Sequence, residues 1–196
     1  MPDSIRVTWD YLCPFARNAH VTIAQALRDG ALSIPVTFHA FSLTQNHTEP
    51  GDTPIWDRPA DERGSGVLAL EWGIAVRDNV PDAFLDFHVQ AFAARHDDAV
   101  NINDIDILRS IATACDLDPS EIEQLVATGE PIATLAAEHV EAVDRWSVFG
   151  VPTFIVGEDA VFIRFMERGN VPDLLRAIEL LDTPNINEFK HTAIPR

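Results

Sequence analysis

One junction near the start constrains this chain more than any other stretch. Ile5, Val7 and Trp9 alternate with Arg6 and Thr8, the period-two pattern of a strand with one buried face. Asp10-Tyr11-Leu12 follows, then Cys13-Pro14-Phe15-Ala16-Arg17. Beyond it Val21, Ile23, Ala24 and Leu27 recur at helical spacing as far as Gly30, and glycine is favoured just past helix ends. Proline suits a first helical turn, because the N–H it lacks has no partner there. Cys13 is therefore expected at a helix N-terminus, whose partial positive charge favours a thiolate and a better nucleophile. Ile34, Val36, Phe38 and Ala40 then alternate with Pro35, Thr37 and His39, a second strand. Strand, helix and strand make a βαβ unit with a right-handed crossover.

At 196 residues, 46% hydrophobic and 23% charged, the chain is long enough for one domain with an insertion or one large domain. No apolar run approaches the ~18 residues of a membrane span. Met1-Pro2-Asp3-Ser4 carries neither a basic segment nor an apolar stretch of the secretory kind, so a cytoplasmic protein is expected. The net charge is −17 and Lys190 is the only lysine, a balance that opposes nucleic acid and anionic membranes as partners. The chain has two cysteines, and in a reducing compartment no structural disulfide is expected.

Residues 42–66 break the pattern with Pro50, Pro54, Pro59, Gly64 and Gly66. A loop of this length is either functional or tethered, and Trp56 within it either folds over a pocket or pins the loop down. From 67 to 147 the spacing is helical: one helix over 67–77, another from Pro81, a third capped by Asn103. That third helix carries Ile107, Ile111, Ala112 and Cys115 on one face. Asp118-Pro119-Ser120-Glu121 reads as a capping box, and Pro131 opens a helix to about Trp146. A hairpin follows, Val151–Val156 and Ala160–Phe165 around Gly157-Glu158-Asp159. Asn170 caps a last helix whose stripe is Leu174, Leu175, Ile178 and Leu181.

Phe149-Gly150-Val151-Pro152-Thr153-Phe154 is the second informative stretch. Pro152, between a helical stretch and a terminal hairpin and helix, is either an ordinary strand-start proline or one side of a cis bond, whose flanking backbone groups could pair with an incoming thiol-bearing ligand. Other chemistry is not supported. The seven histidines form no His-x-x-x-His pair or Cys/His cluster, so no metal site is expected. Gly64-Ser65-Gly66 is too short for a nucleotide signature, and no carboxylate is assigned to catalysis. Arg17, one helical turn past Cys13, is placed to add positive charge beside the sulfur. Cys115 reads as a buried residue of its helix face rather than as a partner for Cys13.

Cys13-Pro14-Phe15, Gly150-Val151-Pro152-Thr153 and the helical segment between them resemble the DsbA-type thioredoxin-like family, above all its FrnE-like and actinobacterial branches. Phe38-His39-Ala40-Phe41-Ser42-Leu43 and Glu188-Phe189-Lys190 resemble the mycothiol-dependent reductases of that group. The resemblance implies an α/β thioredoxin-like fold from residues 1–65 and 148–196, with an all-helical insertion over 66–147. It also implies thiol–disulfide exchange, with Cys13 as the attacking thiol and Pro152 as the cis-proline. Ala16 stands where the resolving cysteine would be. The expectation is thus a monothiol oxidoreductase with no tightly bound cofactor, taking mycothiol or glutathione as cosubstrate and a disulfide or electrophile as substrate. Pro14, Phe15, Arg17, Val151 and Pro152 would line its thiol site; a homodimer is left open. Two alternatives stand beside it. In the related hydroxychromene carboxylate isomerases and kappa-class transferases a bound thiol is activated and the protein's own cysteine is dispensable. A redox-inactive binding protein on the same fold is the other.

Overall fold

A computed structural model describes residues 1–181 and residues 183, 185, 188, 190 and 191. Phe189, in the tail motif singled out above, lies outside the described residues. Strand β1 (Ile5–Trp9), helix α1 (Pro14–Arg28) and strand β2 (Val36–Ala40) form the opening unit. A short helix α2 (Leu43–Asn46) follows, then two single 3-10 turns, Ile55–Asp57 and Ala60–Glu62. Five helices come next: α3 (Val67–Asn79), α4 (Pro81–His96), α5 (Ile105–Ala114), α6 (Pro119–Ala127) and α7 (Glu130–Trp146). The chain then makes β3 (Thr153–Val156), β4 (Asp159–Phe162) and α8 (Val171–Leu180). The sheet order is β2-β1-β3-β4, with β1 parallel to β2 and antiparallel to β3. This is a thioredoxin-like α/β fold of the DsbA kind, with the helices α3–α7 entered between β2 and β3.

Local chemistry accounts for most element ends. Asn170 caps α8 through a bond from the Asp173 N–H, with proline in the first turn. Several expected boundaries move, among them the first hairpin strand, which starts at Thr153 rather than Val151. Asn103 does not cap α5; Asp104 does, accepting from the Asp106 N–H. Asn103 instead donates to the Gly64 carbonyl and accepts from the Gly66 N–H, tying the 42–66 segment to the helices. Asp118 caps α6 by accepting from Ser120, so the box through Glu121 does not close. The second hairpin strand stops at Phe162 rather than Phe165, and α3 runs on to Asn79. The 42–66 segment is not bare loop. Arg63 bonds to the buried Glu71, and Trp56 sits half-buried with its ring 5.5 Å from that of His139, so it pins the segment down.

The outer edge of β2 is closed by side chains. Arg77 donates to the Phe38 carbonyl at 2.8 Å, Glu138 accepts from the Ala40 N–H at 2.6 Å, and the two charges pair with each other at 2.8 Å. An ion pair from α3 and α7 thereby takes the place of a missing neighbour strand, which protects an edge from pairing with another chain.

Beneath β1 runs a fully buried polar chain. The Tyr11 hydroxyl lies 2.9 Å from His88 Nδ1, His88 Nε2 lies 2.9 Å from His20 Nδ1, and His20 Nε2 lies 3.0 Å from the Thr8 carbonyl. A carbonyl only accepts, so His20 Nε2 carries the proton and His20 Nδ1 accepts from His88. His88 Nδ1 in turn accepts from Tyr11. Both imidazoles are neutral in this arrangement. Gly73 makes room for it, since a Cβ there would meet the Tyr11 hydroxyl at 2.4 Å.

Burial holds His20, His39 and His139 at about 4 and pushes His88 well down, whereas an unfolded histidine titrates at ~6.5. Between these values the unfolded chain binds more protons than the native one, so stability falls as pH falls. Asp10, raised by burial to about 6, and the raised Glu71 and Glu138 oppose this, but the histidines outnumber them. The melting temperature is expected to decline steadily from pH 7 to pH 4.5, with His20 alone contributing up to about 3 kcal/mol. A melting temperature flat over that window, followed by calorimetry, would contradict the neutral buried histidines.

Candidate functional site

Cys13 occupies the N-cap of α1 with extended backbone (φ −93°, ψ 119°), and Pro14 stands in the first turn. Its N–H donates to the Asp10 carbonyl at 3.1 Å and its own carbonyl accepts from Arg17 at 3.0 Å, so the sulfur's position is set by the turn. The sulfur accepts weakly from the Ala16 N–H at 3.5 Å. Across from it the Val151–Pro152 peptide bond is cis. The Cys13 thiol donates to the Val151 carbonyl at 3.2 Å.

The run 149–152 presents four carbonyls in succession, each with a donor. Asn46 Nδ2 donates to Phe149 at 3.1 Å, and the Thr153 hydroxyl to Gly150 at 2.7 Å. The Ile163 N–H donates to Pro152 at 3.3 Å. Val151 alone is served by a thiol, the weakest donor of the four. Thr153 also donates its N–H to the Thr8 hydroxyl, which links this run to β1.

Asp10 holds the turn from below. Its carboxylate is 1% exposed, accepting from the Leu12 N–H at 2.8 Å and the Leu43 N–H at 2.7 Å, which joins the cysteine turn to the start of α2. Burial raises it to about 6, and the two N–H groups keep it from rising further. Leu12 packs on Gly66, whose φ of 75° and lack of a Cβ permit the contact; a Cβ would lie 2.8 Å from Leu12 Cγ.

Two expectations about the sulfur change. The helix N-terminus was to make Cys13 more acidic than an ordinary thiol. Cys13 is only 8% exposed, and burial pushes its thiol up; the Ala16 and Phe15 N–H groups offset part of this, and Asp10 adds to it. Arg17 was to face the sulfur. It bonds instead to Asp97 at the end of α4, which also takes Arg168 at 2.8 Å. A carboxylate within reach outcompetes a buried neutral thiol for a guanidinium.

The remaining lining residues are placed as follows. Pro14 is exposed, Phe15 half-buried with the Arg164 guanidinium 5.6 Å from its ring centre, and Ala16 fully buried. Phe149 is 65% exposed, its ring 5.0 Å from that of Phe162. Cys115 ends α5, half-buried, and both cysteines are free. Among the described residues no group of three His, Cys, Asp or Glu side chains is placed to hold a metal ion, and no helix is long and apolar enough to cross a membrane. Asp10, Asn46, Arg164 and the Tyr11–His88–His20 chain went unnoticed in the sequence. Only Asp10, three residues before Cys13, had a local signal.

Residues 82–178 match the family model of the DSBA-like thioredoxin domain, a span from the start of α4 into α8. Comparison with curated proteins gives no match. Among solved structures, a thioredoxin-like oxidoreductase from Silicibacter pomeroyi superposes with a TM-score of 0.61 at 19% identity, covering 90% of this chain and 86% of that one. The thiol-disulfide exchange protein alpha-DsbA2 from Wolbachia pipientis gives 0.60 at 17% identity, covering 92% and 80%. A 2-hydroxychromene-2-carboxylate isomerase gives 0.64 at 14% identity, covering 90% and 94%. At such identities the superpositions speak for the fold alone, which is thioredoxin-like and of the DsbA kind, and the family match covers 97 of the 196 residues.

Proposed function

We propose that this protein is a monothiol thiol–disulfide oxidoreductase acting through Cys13 with a low-molecular-weight thiol of the mycothiol or glutathione type. The observation that carries the reading is the Cys13 thiol, 3.2 Å from the carbonyl of the residue before the cis-proline. An incoming ligand that donates an N–H to the Val151 carbonyl takes the thiol's acceptor away. The thiol then loses the bond that favours its protonated form, while the Ala16 and Phe15 N–H groups remain to stabilise a thiolate. Cys13 attacks one sulfur of a disulfide; the new S–S bond forms as the old one breaks, and the second sulfur leaves as a thiolate. With alanine at position 16, an external thiol attacks the ligand sulfur of the mixed disulfide; a new S–S bond joins that sulfur to the external thiol and Cys13 Sγ leaves as a thiolate, completing the exchange.

A second reading is favoured by one specific observation. A thiol at 8% exposure, raised by burial, is a weak nucleophile at neutral pH, as suits a protein that activates a bound thiol rather than its own. The hydroxychromene carboxylate isomerase-like neighbour has this fold. Intact mass after exposure to small disulfides separates the two. A Cys13 adduct that is lost in Cys13→Ser supports the oxidoreductase. Isomerase turnover retained in Cys13→Ser, with no adduct on the wild type, overturns it.

The rate of Cys13 alkylation by iodoacetamide, followed by peptide mapping, is expected to keep climbing with pH past ~8.5, the ordinary thiol value. A plateau below that value would mean that the helix N-terminus outweighs burial. Replacing Ala16 by cysteine is expected to yield an internal disulfide on mild oxidation and reductase activity toward a protein disulfide. The wild type is expected to form neither an internal bridge nor a Cys13–Cys115 link. A bridge between those two cysteines, seen by non-reducing peptide mapping, would eliminate the monothiol scheme.

A further inference from the structure

We propose that Arg164, held over Phe15 at the rim of the Cys13 site, selects small thiols and disulfides that carry a carboxylate close to the sulfur. The inference rests on the thiol-exchange reading above and narrows its ligand to carboxylate-bearing thiols of the glutathione type, since mycothiol has no carboxylate. The placement of Arg164 is fixed from both sides. The residue before it, Ile163, donates its N–H to the Pro152 carbonyl at 3.3 Å. The residue after it, Phe165, accepts at its carbonyl from Asn18 Nδ2 of α1 at 2.9 Å. The segment 163–165 thus bridges the cis-proline run and the cysteine helix, and Arg164 stands between the two anchors. Its guanidinium lies 5.6 Å from the ring centre of Phe15, two residues past Cys13.

The charge pattern around it is opposite to that of the molecule. The chain carries −17, yet Arg17, Arg164 and Arg168 lie along or against the first half of α1, and Asp97 is the acid that pairs there. Asp97 is shared by Arg17 and Arg168, and Glu167 pairs with none of the three among the described residues. Arg164 itself makes no ion pair or side-chain hydrogen bond among the described residues, and its guanidinium faces the Phe15 ring. An arginine resting on an aromatic ring keeps its five donors for a planar carboxylate. The exposed Phe149 ring at the head of the cis-proline run, 5.0 Å from that of Phe162, offers an apolar surface to the ligand's carbon skeleton.

The test uses two symmetrical disulfides that differ in charge: 3,3′-dithiodipropionate with two carboxylates and cystamine with two ammonium groups. In each case Cys13 Sγ forms a bond to one ligand sulfur, the ligand S–S bond breaks, and one equivalent of the small thiol is released. Adduct formation at Cys13 is timed by intact mass and located by peptide mapping. Each rate is divided by that of the neutral thiol N-acetylcysteinamide with the same disulfide at the same pH, which removes intrinsic reactivity. The net charge alone favours cystamine. The wild type is expected to favour the dicarboxylate instead, by about tenfold at low salt, with the preference fading at 0.5 M salt. Arg164→Gln is expected to lose most of that preference and Arg164→Glu to invert it. Arg109→Gln removes the same unit of charge from a group paired with Asp106 and Glu123, and should keep the preference. A wild type that favours cystamine, or an Arg164→Gln ratio equal to that of Arg109→Gln, overturns the role of Arg164 while Cys13 chemistry stands. Absence of any Cys13 adduct with either disulfide overturns the thiol-exchange reading and this inference with it.

Discussion

The hydrogen bonds that meet at Thr8 hold the two halves of the candidate site in register. Its carbonyl accepts from His20, which begins the chain through His88 to Tyr11, two residues before Cys13. Its hydroxyl accepts from the Thr153 N–H, the residue after Pro152. One residue of the central strand is thus bonded toward the cysteine turn on one side and toward the cis-proline run on the other. Every group in this path is buried, and a buried donor or acceptor left without a partner costs about 1–3 kcal/mol. The chain therefore works as a unit, and it has only one proton arrangement with neutral histidines. Protonating either ring makes His88 Nδ1 a donor, so the Tyr11 hydroxyl must turn from donor to acceptor.

The strand–helix–strand opening, the helical stretch, the terminal hairpin and the last helix were legible because each is written in local periodicity and caps. The polar core was not. His20 and His88 are 68 residues apart, and nothing in the spacing of seven histidines says that two of them touch. Asp10 was hidden by number, as one of 31 acidic residues. Only the fold distinguishes it, by closing the Leu12 and Leu43 N–H groups around it. Arg17 and Cys13 show the limit from the other direction. Helical spacing correctly brings position 17 one turn past the cysteine, but a carboxylate from a helix 80 residues away takes the guanidinium. Local sequence also supplies the helix N-terminus at Cys13, while the burial that overrides it comes from distant packing.

That burial sets the terms for any chemistry at the sulfur. In the unliganded protein the thiol has a carbonyl acceptor, little exposure and the raised Asp10 carboxyl nearby, all of which favour S–H over the thiolate. The stabilising N–H groups of Ala16 and Phe15 are present but outweighed. On the proposed function, the ligand tips this balance by occupying the Val151 carbonyl, so thiolate forms where a partner disulfide is bound. A thiol protected in this way is also a poor target for adventitious oxidation, since oxidation proceeds through the thiolate.

Electrostatics at longer range must then agree with this short-range scheme. A chain of net charge −17 repels anions at distances beyond about 10 Å in 0.1 M salt only weakly, because that is the screening length. Inside that distance individual side chains decide. Of the arginines along or against the first half of α1, two are tied to Asp97 and the third rests on Phe15. Asp97 neutralises one of its two guanidiniums, so that trio keeps one positive charge, and the guanidinium over Phe15 adds a second. A carboxylate-bearing ligand that has crossed the screened outer zone therefore meets attraction within the last few ångströms. On the proposed role of Arg164, the acidic surface still leaves room for a small anion at this rim. That is the arrangement expected of a protein whose ligand is small enough to feel one arginine rather than the whole molecule.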